Sequence, residues 1–240
     1  MHFYSTFACG LATEPARNFP ESLRNLWWKL DKALDLEGVR YSTLVPLVHC
    51  IRNGTTTVID HHASPMAVEG SLDVIADACT EAGIRSSLCY EISDRDGESI
   101  AKAGLGENER FLSRVSDDNQ DGMLAGMVGL HASMTIGPDS LERAVELALA
   151  RDCGLHVHVA EDKSDQKDSL DKYGKRVVQP LHDAKGLGPK TIAAHCIHVS
   201  DEEKELLSDT GTFVVHNPQS NMNNAVGIQD FSGLDAAGAT

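Results

Sequence analysis

The chain has 240 residues, 41% apolar and 24% charged, a globular balance that argues against disorder. Its 36 acidic against 21 basic side chains give a net charge of −15, which excludes a general basic footprint for nucleic-acid phosphates or anionic lipid. No apolar run approaches the roughly 18 residues of a membrane span, and MHFYSTFACG lacks the basic start and long apolar core of a secretory signal.

Taken in chain order, the pattern alternates helix and strand. Residues 20–36 place Leu23, Leu26, Trp27, Leu30 and Leu34 on one helix face. Tyr41 to Arg52 predicts a second helix, closed by Asn53-Gly54 and weakened in its first turn by Pro46. TTTVIDHH (55–62) is short and β-branched, so it predicts a buried strand. Residues 70–82 predict a helix ended by Gly83, 85–92 a strand, 97–116 a long polar helix and 126–133 a strand. Asp139, with Glu142 three residues on, predicts a capped helix that ends at Gly154. LHVHVAE (155–161) predicts a strand, 164–185 helical structure and TIAAHCIHV (191–199) a strand. Ser200 with Glu203 opens another helix, and GTFVVHNP (211–218) predicts the last strand. Repeated strand–helix units argue for a parallel sheet built from βαβ crossovers, in a chain close to the roughly 250 residues of an α/β barrel. The six cysteines form no CxxC pair and read as reduced, buried thiols of a cytoplasmic protein.

The eleven histidines fall mainly at strand ends. Those ends read Asp60-His61-His62, Glu91, His131, His156-Val-His158 with Glu161, His195 with His198, and His216-Asn217. In a parallel barrel all C-terminal strand ends share one rim, where the loops assemble the active site. A single strand-end histidine is usually a hydrogen-bonded structural residue; a series at equivalent positions points to a common site. His156 and His158 are two apart and face one side of their strand, so either could ligate a metal, with His158 nearer the rim. Glu161 follows where strand becomes loop, suited to moving a proton. His49 and His182 fall on predicted helices and receive no role.

The segments HFYSTFACG, RNGTTTVIDHHASP, LHVHVAE, AAHCIHV and VVHNPQSNMNNAVG, in this order and spacing, resemble the amidohydrolase superfamily. The likeness lies in its branch of cytosine, guanine and S-adenosylhomocysteine deaminases and triazine chlorohydrolases, nearest the SsnA-type aminohydrolases. It runs over essentially the whole chain. It implies an α/β fold, a (β/α)8 TIM barrel of the metal-dependent hydrolase type. Only part of that barrel is expected in residues 1–240, as one partial domain: strands two to seven, a remnant of strand one, no strand eight and no flanking β-sandwich. The opening Met1-His2 and the closing GLDAAGAT read as cut ends in keeping with this.

The resemblance implies that His2, the second histidine of a family HxH pair, ligates a metal together with His158 and His195. It implies Glu161 as the proton-shuttling catalytic residue. It places His131 against substrate, with His216 and the His61-His62 pair lining the same pocket. The implied cofactor is one mononuclear Zn2+, with Fe2+ as the alternative, and the implied reaction is hydrolytic deamination of an N-heterocyclic or amidine-like small molecule. The family's strand-eight aspartate, which would accept the proton from water, has no counterpart in this sequence. Family members are often dimers or larger, so the resemblance leaves the oligomeric state open with a homodimer as one possibility, in the cytoplasm, with no nucleic-acid or membrane partner. Three rival readings stand: hydrolytic dechlorination or other leaving-group displacement on the same scaffold, a metal-binding fragment without activity, and a metal-free barrel enzyme using His and Glu as acid and base.

Overall fold

Strands and helices alternate along the chain much as the periodicity requires. A computed structural model describes residues 1–118 and 122–239. These group into two compact units, one of Met1–Ile92 with Asp96–Gly129 and the other of Ser93–Arg95 with Leu130–Thr240.

In the first unit, residues 20–36 do not form one helix. α1 (Phe19–Ser22) runs into a wide π-type turn at Leu23–Trp27, then α2 (Trp28–Leu30) and a tight 3-10 turn at Asp31–Ala33. Leu23, Leu30 and Leu34 are nevertheless buried, as their spacing predicts. α3 (Leu36–Arg52) begins earlier than expected, because Asp35 accepts the Gly38 N–H at 2.7 Å and caps it there. Pro46 therefore sits inside α3 and not in its first turn. Strand β1 (Thr57–His62) is followed by α4 (Ser71–Ala82), which ends on Gly83 at φ +70°. β2 (Arg85–Ile92) runs parallel to β1, from Thr57 opposite Arg85 to His62 opposite Tyr90. After α5 (Glu98–Asp118) comes a short strand, β3 (Leu124–Gly126), that the sequence pattern did not separate from its successor; it pairs parallel with β2. The core of this unit packs Val39 and Leu47 of α3 and Leu72 and Ile75 of α4 against Val58, Leu88 and Phe111.

β4 (Val128–Ala132) crosses the division between the units. The second unit continues with α6 (Pro138–Ala150), β5 (Leu155–Val159), α7 (Lys163–Tyr173), α8 (Val178–Asp183) and β6 (Ile192–His195). It closes with α9 (Asp201–Asp209), β7 (Phe213–Val215), α10 (Pro218–Asn223) and α11 (Phe231–Ala237). β5, β6 and β7 are parallel neighbours in that order. Ser200 and Glu203 form the expected reciprocal capping box on α9. The terminal helix α11, capped by Asp230, lies where no element was expected.

Two helices start at glycines that offer no capping side chain, and each borrows a carboxylate from elsewhere in its own unit. The buried Glu107 of α5 accepts the Gly70 and Leu72 N–H groups of α4 at 3.0 and 2.9 Å. Asp94 accepts the Gly137 N–H and the Ser140 hydroxyl of α6, each at 2.6 Å. Asp139 is thus not the cap of α6; Gly137 is the capping position and Pro138 the first residue. Among the described residues no helix is long and apolar enough to cross a membrane. All six cysteines are free; Cys79, Cys89 and Cys196 are buried as expected, Cys50 and Cys153 are half-buried, and Cys9 is exposed.

Gly154 does not end a helix. α6 stops at Ala150, and Gly154 leads into β5 against the backbone before β6. A Cβ there would lie 1.8 Å from the carbonyl oxygen of Lys190, so only hydrogen fits. Gly154→Ala is expected to cost more than about 3 kcal/mol or to prevent folding, read as a fall in the urea midpoint; a midpoint equal to the parent's would refute the close approach.

Candidate functional site

In the first unit the N-terminal residues lie alongside β1. The Met1 amino group donates to the Ile59 carbonyl at 2.6 Å, and the Met1 carbonyl accepts the His61 N–H at 2.9 Å. This parallel bridge carries His2 to the end of β1, where its Nδ1–H donates to the His61 carbonyl at 2.5 Å. Burial lowers the His2 imidazole to about 3, with His61 and the N-terminal ammonium acting the same way. His61 lies with Nδ1 3.4 Å from the Glu91 carboxylate at the end of β2, both groups buried. His62 points to the other side of the strand, its Nε2 donating to Ser64 Oγ at 2.9 Å near the Tyr90 ring. Its Nδ1 has no hydrogen-bond partner among the described residues.

In the second unit the strand ends bring together His131, His158, Glu161 and His195. His131 Nδ1–H donates to Thr135 Oγ1 at 2.5 Å. The carbonyl of His131 accepts from His158 Nδ1–H at 2.8 Å, and the two ring centroids are 5.7 Å apart. The His158 and His195 rings are 5.6 Å apart. His195 Nδ1–H donates to Asn221 Oδ1 at 2.7 Å, and burial, the main cause, lowers its imidazole to about 4. Glu161 Oε2 lies 3.5 Å from His195 Nε2. Burial pushes the Glu161 carboxyl up to about 7, against a hydrogen bond from Asn224 Nδ2 to Oε1 at 3.1 Å that lowers it. With the imidazole pushed down, His195 is uncharged at neutral pH and this contact is not an ion pair. His156 lies beside His158 with ring centroids 6.5 Å apart. His216 sits on Phe231, centroids 4.4 Å apart, and its Nδ1 has no hydrogen-bond partner among the described residues.

The backbone at these strand ends is unusual. Ala160, His195 and Cys196 have φ of +48°, +75° and +46°, left-handed values that non-glycine residues rarely adopt and that cluster at functional sites.

One chemical feature recurs at His2, His158 and His195. Each spends its Nδ1–H on an oxygen, the acceptors being the carbonyls of His61 and His131 and the side chain of Asn221, and His131 does the same toward Thr135. That fixes the tautomer with the lone pair on Nε2 and turns Nε2 into the ligating nitrogen. Neutral, oriented imidazoles of this kind suit a divalent metal such as zinc. Asn221, Asn224 and Gln229 escaped sequence reasoning as functional residues; the amide-rich SNMNNAVGIQ stretch is the one signal of them.

The sequence profile of the amidohydrolase family matches residues 2–240. The 5-methylthioadenosine/S-adenosylhomocysteine deaminase of Thermoanaerobacter pseudethanolicus is 35% identical over 84% of this chain and 45% of its own length. The 8-oxoguanine deaminase of Pseudomonas aeruginosa is 30% identical over 99% of this chain and 55% of its own length. The chain thus spans about half the length of the curated relatives it matches. An adenosine deaminase from Xanthomonas campestris with bound zinc superposes with a TM-score of 0.86 at 24% identity, covering 99% of this chain and 52% of that one. An atrazine chlorohydrolase from Arthrobacter aurescens TC1 complexed with zinc gives 0.81 at 20% identity, covering 100% of this chain and 56% of that one. The fold class is accordingly the expected one, α/β of the amidohydrolase barrel type.

Burial holds His62 neutral, pushed down to about 3 from an ordinary 6.5. Between those values the unfolded chain binds a proton that the folded one does not. Stability present above pH 6.5 is therefore lost as the pH falls toward 3. One such group contributes about 1.4 kcal/mol per pH unit. His62→Gln is expected to make the urea midpoint less sensitive to pH between about 4.5 and 6.5; a slope equal to the parent's would contradict the assignment.

Proposed function

The chain belongs to the amidohydrolase family, and from that premise we propose that its protein is a metal-dependent aminohydrolase acting on a purine-like or other amidine-containing small molecule. The observation that carries the reading is the shared Nδ1-to-oxygen tie of His2, His158 and His195. The deaminase names of the relatives, several of them for adenosine derivatives, support the substrate class. We assign His158 and His195 as metal ligands in the second unit and His2 as a further ligand on the same chemistry. Zinc is the ion favoured by imidazole donors, with iron(II) as the alternative. When bound, such an ion supplies Lewis acidity and makes water nucleophilic near neutral pH.

The residues of the chain then have separate tasks. In the net reaction a C–N bond breaks, a C–O bond forms from water and the nitrogen leaves as ammonia. Glu161 delivers the proton that the leaving nitrogen needs. A carboxyl pushed up to about 7 is partly protonated at neutral pH and can serve as that acid. Asn224 holds one carboxylate oxygen, leaving Oε2 on the His195 side. His131 has its Nδ1–H committed to Thr135, and we assign it to substrate, as we do His61 and His216. His62, bonded to Ser64 Oγ beside the Tyr90 ring, we keep as a residue of the same pocket as His61.

The test is ammonia release by the zinc-loaded protein on a panel of adenosine-type nucleosides and oxopurines. Glu161→Gln is expected to lower turnover by about 10²-fold or more, the range of general acid catalysis, with zinc content unchanged. Unchanged turnover would remove Glu161 as the acid. Turnover persisting after chelation of all metal would remove the metal-dependent reading.

A further inference from the structure

The segment after β7 buries two amides along with Val226 and leaves two apolar side chains in water. Its apolar side chains Met222 and Ile228 are 73% and 84% exposed, while the amides Asn221 and Gln229 are 2% and 3% exposed. Loops ordinarily pack apolar groups inward and leave amides in water. Here the amides point to the strand ends of the same unit. Asn221 Oδ1 accepts from His195 Nδ1–H at 2.7 Å, and Asn224 Nδ2 donates to Glu161 Oε1 at 3.1 Å. Gln229 Nε2 donates to the His195 carbonyl at 2.7 Å, and the Val226 carbonyl accepts from His198 Nε2 at 2.8 Å.

Each bond answers a local need of the residue it reaches. The His195 imidazole has two tautomers, and an acceptor at Nδ1 selects the one with its lone pair on Nε2. Asn221 could equally turn its Nδ2–H₂ to the ring and select the other tautomer, which would put a proton on Nε2. In the observed orientation that NH₂ is buried with no hydrogen-bond partner among the described residues. An orphaned buried donor is costly; this orientation leaves the NH₂ unbonded and gives the ring an acceptor. The His195–Cys196 backbone is left-handed at two successive non-glycine residues, which persists only where neighbours over-determine it. Gln229 is the side chain that grips this peptide, through the His195 carbonyl.

We propose that residues 221–229 form a positioning strap for the site. Asn221 sets the tautomer of His195, Gln229 holds its left-handed backbone, and Asn224 aims Glu161. The inference rests on the reading of His195 as a metal ligand. It makes these amides positioning residues, which touch neither the metal nor the substrate.

Two measurements test it. The imidazole ¹⁵N shifts of metal-free protein labelled with [¹⁵N]histidine report the His195 tautomer, assigned by difference from His195→Gln. The parent is expected to show Nδ1–H. Asn221→Leu is expected to shift the population toward Nε2–H, and Asn221→Asp, which keeps an acceptor, to retain Nδ1–H. Zinc affinity, by competition with a chromophoric chelator, is expected to fall about 10- to 100-fold in the near-isosteric Gln229→Met, the range for residues that support a ligand. The exposed Met222→Ala is the control with parental affinity. A parental tautomer in Asn221→Leu, an Nε2–H tautomer in Asn221→Asp, or parental zinc affinity in Gln229→Met overturns the strap. If the parent itself binds no zinc, the metal reading of His195 falls, while the tautomer measurement still decides the role of Asn221.

Discussion

A neutral imidazole has one proton and one lone pair on opposite sides of its ring, and burial favours that neutral form at His2 and His195. Whatever takes the proton therefore decides where the lone pair points. In this protein His2, His158 and His195 are buried or half-buried at strand ends, and each gives its Nδ1–H to an oxygen held by neighbouring backbone or side chain. The two carbonyl acceptors belong to other site histidines, so backbone path and ring orientation are set together. Three Nε2 lone pairs result, and the proposed chemistry depends on them.

The fold supplies the conditions for that arrangement. Parallel strands put successive C-terminal ends at comparable heights, and close pairing of β5 and β6 requires glycine at position 154. Burial lowers His2, His62 and His195 and raises Glu161, so the imidazoles stay uncharged well below pH 6.5 and the carboxyl keeps a share of its proton near pH 7. Helices that begin at Gly70 and Gly137 are anchored by Glu107 and Asp94, which fixes the loops leaving β1 and preceding α6. The left-handed turn at His195–Cys196 redirects the chain at the end of β6 and exposes the His195 carbonyl to Gln229.

Local rules read much of this from the amino acids. β-branched runs marked β1, and alternating histidines marked β5. Ser200 and Glu203 marked the start of α9 because both halves of a capping box lie within four residues of each other. Two of the misreadings have one cause in common: the deciding partner is far away in the chain. Asp139 satisfied the local capping pattern, but the acceptor for Gly137 is Asp94, 43 residues earlier. Gly154 looked like a helix stop because its neighbour Lys190 is invisible to local reasoning. The site histidines were legible from their strand ends, whereas Asn221 and Gln229 were not. An asparagine in a polar stretch carries no sign that it faces a histidine 26 residues away.

X-ray absorption at the zinc edge of the metal-loaded protein tests the central claim most directly. The account predicts one tightly held zinc per chain with imidazole nitrogens at about 2.0 Å in the first shell and no sulfur. A first shell with thiolate sulfur at about 2.3 Å, drawn from the free cysteines, or zinc lost on simple dialysis, would contradict it.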